Sequence, residues 1–219
     1  MEILDDLMVR VLSCLMEKSV TTPDYYPMTL NALTAACNQK SNRNPVMALD
    51  EKAVVRAMDS LREKQLACRI LSTEFRVPKY EHWFDRTYSF TPTQSALLCE
   101  LMLRGAQTAG ELRSRASRMQ PMDLATVEQT LTGLMDLEGG PFVCRLGRAP
   151  GQKEPRFMHL FSGPPDPEAL VPAQADEKAV LAVRAEDERI LVLEEELEEV
   201  EQQLAELSSR FETFKAQFE

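Results

Sequence analysis

The sequence lacks the motifs that most enzyme classes and metal proteins require. It contains no GxxxxGK[ST] or GxGxxG phosphate loop, no HExxH zinc helix and no GxSxG nucleophile elbow. The cysteines are odd in number and form no CxxC pair, so neither a disulfide framework nor a zinc cluster is indicated. They are Cys14, Cys37, Cys68, Cys99 and Cys144. We therefore expect a protein that is not an enzyme and that uses no metal, cofactor or small-molecule substrate.

Long apolar runs are also missing. No segment approaches the roughly 20 apolar residues of a membrane span. The first residues, MEILDDLMVR, have no basic stretch followed by an apolar one, as a secretion signal would have. Scattered cysteines without a pairing pattern suit a reducing compartment. These absences predict a soluble, cytoplasmic protein that does not bind a membrane.

Acidic charge dominates the chain, but it is concentrated near the C-terminus. The formal net charge is −10. Residues 1–163 contain 20 Lys and Arg against 19 Asp and Glu, a net +1, whereas residues 164–219 contain 5 against 16, a net −11. The proline-rich stretch SGPPDPEALVPAQADE marks the change in charge and is typical of a semi-extended linker.

The near-neutral part of the chain contains one pattern twice. RVPKYEHWF at 76–84 returns as KEPRFMHLF at 153–161, with Pro third, His seventh and Phe last. Further matching pairs are VLSCLMEKSVTT with LLCELMLRGAQT, VVRAMDSL with VEQTLTGL, and ACRI with VCRL. The spacing between the copies drifts because their loops differ in length, which is typical of a tandem repeat.

Each copy predicts three helices followed by two short strands. Apolar periodicity indicates the first helix, and a threonine begins the second. Asp50 and Asp123 open the third helices, because a carboxylate there can accept from free N–H groups. The β-type runs are LACRIL with KYEHWF and FVCRL with RFMHLF. Three helices and a β-hairpin make a winged helix.

The predicted fold class is therefore α+β and mostly helical. We expect two tandem winged-helix domains, at 1–90 and 91–163. A proline-rich linker at 164–177 and a long coiled-coil helix at 178–219 would follow them.

This first region resembles the YceH-like family of bacterial proteins. The resemblance rests on TTPDYYPMTLNALTAACNQKSNRNPVM at 21–47, RVPKY at 76–80, ELRSRASRM at 111–119 and HLFSG at 159–163. Met28 and Thr29 stand where the family usually has Leu-Ser. The resemblance implies tandem winged helices without an established biochemical activity, so it supports the fold and supplies no function.

Both histidines of the chain occupy equivalent positions in the two copies. Strand alternation places Tyr80, His82 and Phe84 on one face, and Phe157, His159 and Phe161 on the corresponding face. We expect the aromatic residues to close each small core and the histidines to be structural.

Basic residues in the predicted wings and third helix suggest a nucleic-acid surface. A winged helix can insert its third helix into the major groove while its wing contacts phosphates. The candidates are Lys40, Asn42 and Arg43 in the insertion 38–45, Lys52 and Arg56 in the third helix, Arg76 and Lys79 in the first wing, and Arg148, Lys153 and Arg156 in the second wing. The asparagines of the insertion could equally hold its own turns, and the basic residues could be ordinary solvated surface.

The second copy favours a different function. Its third helix, DLATVEQTLTGLMDLE at 123–138, has no Lys or Arg and would be repelled by phosphates. The leading hypothesis is therefore duplex DNA association, with a regulatory role, through the first winged helix and the basic wings. The alternative is a scaffold that binds partner chains through its winged helices and coiled coil, as tandem winged-helix proteins of chromosome-condensation complexes do, which is a fold-level analogy.

The tail carries an unbroken heptad seam. Its apolar residues recur at alternating spacings of 3 and 4, which predicts a coiled coil. They are Ile190, Leu193, Leu197, Val200, Leu204, Leu207, Phe211, Phe214 and Phe218. The seam could bind a second copy, bind a helical protein partner, or fold back on its own chain. An antiparallel homodimer is favoured over a parallel one, because it brings Glu194 toward Lys215 and Glu196 toward Arg210 of the second copy.

Overall fold

The first copy of the repeat folds as three helices and a small sheet. A computed structural model of the chain describes residues 2–71, 77–147 and 154–165. The first-copy elements are α1 (Asp6–Thr21), a 3₁₀ turn (Pro23–Tyr25), β1 (Met28–Thr29), α2 (Leu30–Cys37), α3 (Glu51–Glu63), β2 (Ala67–Ile70) and β3 (Lys79–His82). The strands form one antiparallel sheet in the order β1-β3-β2.

The second copy repeats this order. After a short helix α4 (Phe84–Tyr88), it consists of α5 (Pro92–Arg104), α6 (Ala109–Ala116), α7 (Leu124–Asp136), β4 (Val143–Arg145) and β5 (Phe157–His159). A single bridge between Gln107 and Phe157 takes the place that β1 has in the first copy, where Met28 pairs with Tyr80. The predicted α+β class and the internal repeat of elements are confirmed.

Polar residues start the helices where the sequence predicts. Thr29 and Thr108 accept hydrogen bonds from the first turns of α2 and α6. The Asp50 carboxylate accepts from the Ala53 N–H at 2.8 Å, and Asp123 accepts from the Thr126 N–H at the same distance. These side chains satisfy N–H groups that the helix itself leaves without partners.

The aromatic residues after each last strand do not pack as predicted. β3 ends at His82 and β5 ends at His159, so Phe84 and Phe161 lie outside the strands. Both rings are fully buried, and they contact each other across the two copies with centroids 5.3 Å apart. The expectation that they close separate small cores is wrong, because both belong to one cluster that also contains Tyr88, Phe90 and Phe142.

Helices α1 and α5 form the centre of the molecule. Residues Met8–Glu17 of α1 and Ala96–Leu103 of α5 are buried on every side. The Cys99 thiol of α5 donates to the Ser13 carbonyl of α1 at 3.3 Å. Buried residues of both copies belong to one continuous core, inside a compact unit that spans residues 1–170. The domain boundary at residue 90 stays a prediction, but the two copies share their interior.

The predicted tail lies outside the described residues. This applies to the linker from residue 166 onward and to the whole heptad seam from Ile190 to Phe218. Within the described ranges, no helix is long and apolar enough to cross a membrane.

Candidate nucleic-acid interface

The outer face of α3 presents two cations near its start. The opposite face of α3 packs into the core through Val54, Ala57, Met58 and Leu61. Lys52 and Arg56 are exposed and lie one turn apart, since residues four apart share a helix face. Further along α3 the surface becomes mixed, because Asp59 pairs with Arg62 at 3.0 Å. The positive charge of α3 is therefore concentrated in its N-terminal half.

A groove separates α3 from the β2–β3 hairpin. It is lined by Glu51 and Val55 of α3, Arg69 of β2, Tyr80 of β3 and Val77, which precedes β3. Arg69 is exposed and lies opposite Tyr80 in the β2–β3 ladder. Lys79, at the start of β3, is half-buried, and Arg76 lies outside the described residues. One wall of this groove thus belongs to α3, the helix that carries Lys52 and Arg56. The opposite wall carries Arg69.

The prediction that Arg43 contacts nucleic acid is not compatible with its burial. The residue is 5% exposed, and its guanidinium contacts both carboxylate oxygens of Glu17. It also donates to the Ala36 carbonyl at 3.1 Å and the Gln39 side chain at 2.9 Å. Arg43 is a structural cation of the interior, because a phosphate could reach it only by breaking this network.

The asparagines of the same loop hold its conformation. The Asn38 amide donates to the Leu49 carbonyl at 2.8 Å and accepts from the Leu49 N–H at 2.7 Å. Asn42 has a left-handed backbone (φ 57°) and accepts a hydrogen bond from Arg104. Asn44 donates from its backbone N–H to the Leu103 carbonyl at 2.9 Å. These contacts favour the structural interpretation of the insertion, in which Lys40 remains exposed.

Of the three candidates predicted in the second wing, the structure describes Arg156. Its side chain is 35% exposed, donates to the Ala106 carbonyl at 2.8 Å and pairs with Glu111 at 3.2 Å. Arg148 and Lys153 lie outside the described residues. Arg156 is therefore held by residues of its own copy.

Sequence reasoning missed a buried ionic network between the copies. The Glu17 carboxylate of α1 forms salt bridges with Arg43 and Arg118. The Glu100 carboxylate of α5 forms salt bridges with Arg118 at 2.9 Å and with Arg104 at 3.1 Å. Both glutamates are almost fully buried. Burial would raise the pKa of Glu17, but the hydrogen bond and charge of Arg43, with those of Arg118, hold that pKa below its usual value.

The signal for this network was present in the sequence. Glu17 and Glu100 are carboxylates inside otherwise apolar helical segments, LSCLMEK and LLCELML. A carboxylate at such a position needs a cationic partner when the helix is buried. Arg104 lies four residues after Glu100 on the same helix, but Arg43, from a loop, and Arg118, from the segment after α6, become partners only through tertiary contacts.

The histidines and cysteines of the described residues do not assemble into a metal site. Within these ranges, no group of three or more His, Cys, Asp or Glu residues could hold a metal ion. Burial lowers the pKa of His159 to about 4 and raises the pKa of the Cys99 thiol well above its ordinary value. The His82 ring contacts the Ser19 hydroxyl at 3.1 Å.

Comparison with known proteins places the chain among bacterial proteins of one family. Residues 4–152 match the family described as "Protein of unknown function, DUF480". The chain is 52% identical to UPF0502 protein GSU0233 of Geobacter sulfurreducens over 218 residues, 99% of each chain. It is 47% identical to a UPF0502 protein of Pelobacter propionicus over 99% of each chain, and 45% identical to UPF0502 protein PBPRB0676 of Photobacterium profundum over 93% of this chain and 94% of that one. These matches are consistent with the resemblance to YceH-like proteins, and the chain belongs to this DUF480, or UPF0502, family of bacterial proteins, whose function is unknown.

Proposed function

We propose that the protein is a non-catalytic regulator that associates with duplex DNA through the first copy of its repeat. The observation that carries this proposal is the pair of exposed cations, Lys52 and Arg56, on the outer face of α3. They stand on a rigid helix whose opposite face is fully anchored in the core. Cations held in this way can meet phosphates without ordering a flexible segment first.

In this proposal each copy is a winged helix. The N-terminal half of α3 enters the major groove, and the hairpin formed by β2 and β3 contacts the neighbouring backbone. Arg69, on the far wall of the groove beside α3, adds a second point of contact. Lys40, exposed in the loop that precedes α3, adds a third. Such contacts position the protein on the duplex without specifying a base sequence.

The second copy supports a protein partner as the alternative. Helix α7 contains no Lys or Arg, and Leu124 and Leu137 at its two ends are 40% and 37% exposed. An acidic and partly apolar helix face suits another protein better than a phosphate backbone. We propose that a scaffold role would use this face together with the heptad seam of the tail, which would join two copies of the chain.

DNA binding through α3 is tested with the full chain and a charge-matched pair of variants. The double variant K52A/R56A should weaken binding of a mixed-sequence duplex, measured by fluorescence anisotropy across a salt series. If both cations neutralise phosphates, the log–log salt slope should become shallower by about 2, at roughly 0.9 for each contact. The control R86A/R113A removes the same charge from exposed side chains on α4 and α6, outside the proposed surface, and its slope should equal that of the wild type.

Two outcomes contradict this proposal. If the full chain does not bind duplex DNA at low salt, where phosphate attraction is greatest, the DNA function is wrong. If R86A/R113A weakens binding as much as K52A/R56A does, only net charge matters and α3 is not the contact surface. In the first case, the scaffold alternative becomes the leading function, with α7 and the tail as its surfaces.

A further inference from the structure

Arg10 of α1 is a buried cation without a carboxylate partner. The residue is 2% exposed, and its guanidinium donates to the carbonyl oxygens of Cys37 at 3.3 Å and Pro45 at 2.7 Å. Among the residues that the structure describes, no ion pair includes Arg10, and its Nε has no hydrogen-bond partner. A buried charge is costly unless an opposite charge compensates it.

The described buried groups near Arg10 that can carry negative charge are one carboxylate, which has other partners, and two thiols. Glu17 is held by Arg43 and Arg118. The thiols of Cys14 and Cys37 are fully buried, and Cys14 donates to the Ala36 carbonyl at 3.5 Å. Burial, with the neighbouring charge of Arg43, lowers the pKa of Arg10 from its ordinary value. The surroundings of Arg10 therefore favour an additional negative charge.

A cavity of about 160 Å³ adjoins Arg10. Since a water molecule takes about 30 Å³, the cavity has room for roughly five non-hydrogen atoms. Its walls come from both copies of the repeat. They include Arg10, Met47, Met102, Met158 and His159.

His159 provides a second polar group at this cavity. The residue is 4% exposed, and its Nδ1 has no hydrogen-bond partner. Because burial lowers the pKa of His159 to about 4, the ring is neutral near pH 7 and carries one N–H. The described walls thus supply one full positive charge from Arg10, one neutral donor from His159 and apolar surface from three methionines, and they also include the exposed carboxylate of Asp6.

We propose that this cavity binds a short-chain monocarboxylate of the size of acetate or propionate. The carboxylate lies against the Arg10 side chain and the His159 ring, and the alkyl group lies among Met47, Met102 and Met158. A single guanidinium compensates a monoanion and leaves a phosphate dianion undercompensated. This site is independent of the proposed DNA surface.

Asp6 makes the proposal easier to test. It lines the same cavity one turn before Arg10 on α1, but it is exposed and forms no ion pair with Arg10. Its negative charge opposes an incoming carboxylate. Removing that charge should therefore strengthen binding, whereas most changes at a binding site weaken it.

The test measures acetate binding to the full chain at constant ionic strength near pH 7. Sodium acetate replaces sodium chloride stepwise, and the unfolding midpoint is followed together with the line width of the acetate methyl resonance. Acetate should raise the midpoint and broaden the resonance, because a ligand that binds the folded state stabilises it. Inorganic phosphate at the same ionic strength stabilises folded proteins by exclusion from their surface, so it should raise the midpoint by the same amount in the wild type and in Arg10→Gln.

Three variants locate the site. Asp6→Asn should bind acetate about two- to fivefold more tightly, and Arg10→Gln should bind it at least about tenfold more weakly. His159→Phe, which removes the ring donor and adds apolar volume, should also weaken acetate binding. This variant replaces Arg10→Gln as the test if Arg10→Gln does not fold. The proposal is overturned if acetate has no effect on the wild type, if acetate stabilises Arg10→Gln as much as it stabilises the wild type, or if His159→Phe and Asp6→Asn both bind like the wild type.

Discussion

Arg43 shows how a surface-like residue becomes part of the interior. It lies in a polar loop between an exposed lysine and an exposed asparagine, yet its side chain is fully buried against Glu17. Removing one member of a buried ion pair leaves the other charge uncompensated, which costs more than the pair contributes.

The substitution Arg43→Ala should therefore lower the free energy of unfolding by about 3–5 kcal/mol. Chemical denaturation followed by circular dichroism measures this loss. The matched control is Lys40→Ala in the same loop, which should change stability by less than about 0.5 kcal/mol because Lys40 is exposed. A loss below about 1 kcal/mol for Arg43→Ala would mean that the ion pair does not form as described.

His159 should make stability depend on pH. Burial lowers its pKa from 6.5 to about 4, so the unfolded chain binds a proton more readily than the folded chain does. The resulting stability is fully present above pH 6.5 and is lost as the pH falls toward 4.

Between about pH 7 and pH 5 this residue should remove about 2 kcal/mol of unfolding free energy. Denaturant titrations of wild type and His159→Asn at both values measure the difference, and the variant should show a correspondingly smaller pH dependence. The control Ser162→Ala, at another wall of the same cavity, should keep the wild-type dependence. If His159→Asn keeps it as well, other groups, such as the half-buried His82, account for the effect.

At the scale of elements, α3 depends on a single side chain for its start. Asp50 accepts a hydrogen bond from the Ala53 N–H, and the helix that follows carries the proposed DNA contacts on its first two turns. The cap therefore supports both the stability of α3 and the orientation of Lys52.

Asp50→Ala should destabilise the protein by about 1 kcal/mol, whereas Asp50→Asn should cost only a few tenths, because asparagine caps a helix nearly as well. Thermal unfolding of both variants measures this difference. Equal losses in the two variants would indicate that the aspartate charge, and not its hydrogen bond, stabilises α3.

At the scale of the whole molecule, the two copies share one interior. Helix α1 of the first copy packs on α5 of the second, Phe84 contacts Phe161, and Arg118 joins Glu17 to Glu100. Contacts of this kind couple the two copies, so a loss of packing in one copy should also destabilise the other.

The single tryptophan, Trp83, makes this coupling measurable because it lies in the first copy. Leu131→Ala creates a cavity under α7 in the second copy and should lower the unfolding midpoint by the equivalent of about 2–5 kcal/mol. Trp83 fluorescence and circular dichroism should report the same lowered transition. The control Thr132→Ala, on the exposed side of α7, should leave both unchanged. A Trp83 transition that does not move in Leu131→Ala would show that the copies unfold separately.

The sequence by itself determined the local elements and their repetition. Apolar periodicity, the capping residues Asp50 and Asp123, and the echo of RVPKYEHWF in KEPRFMHLF are local signals, and the helices and strands follow them closely. The exposure of Lys52 and Arg56 also followed from α3 alone, since their positions lie opposite its apolar stripe.

Only the tertiary structure decided what those elements bury. The polar neighbours of Arg43 in the sequence predict a surface cation, and only the approach of α1 gives it a carboxylate partner. Strand alternation predicts separate cores for Phe84 and Phe161, because it carries no information about contacts between the copies. The cavity beside Arg10 and His159 likewise joins residues almost 150 positions apart. Burial and charge pairing depend on contacts distant in sequence, and these contacts exist only once both copies have packed together.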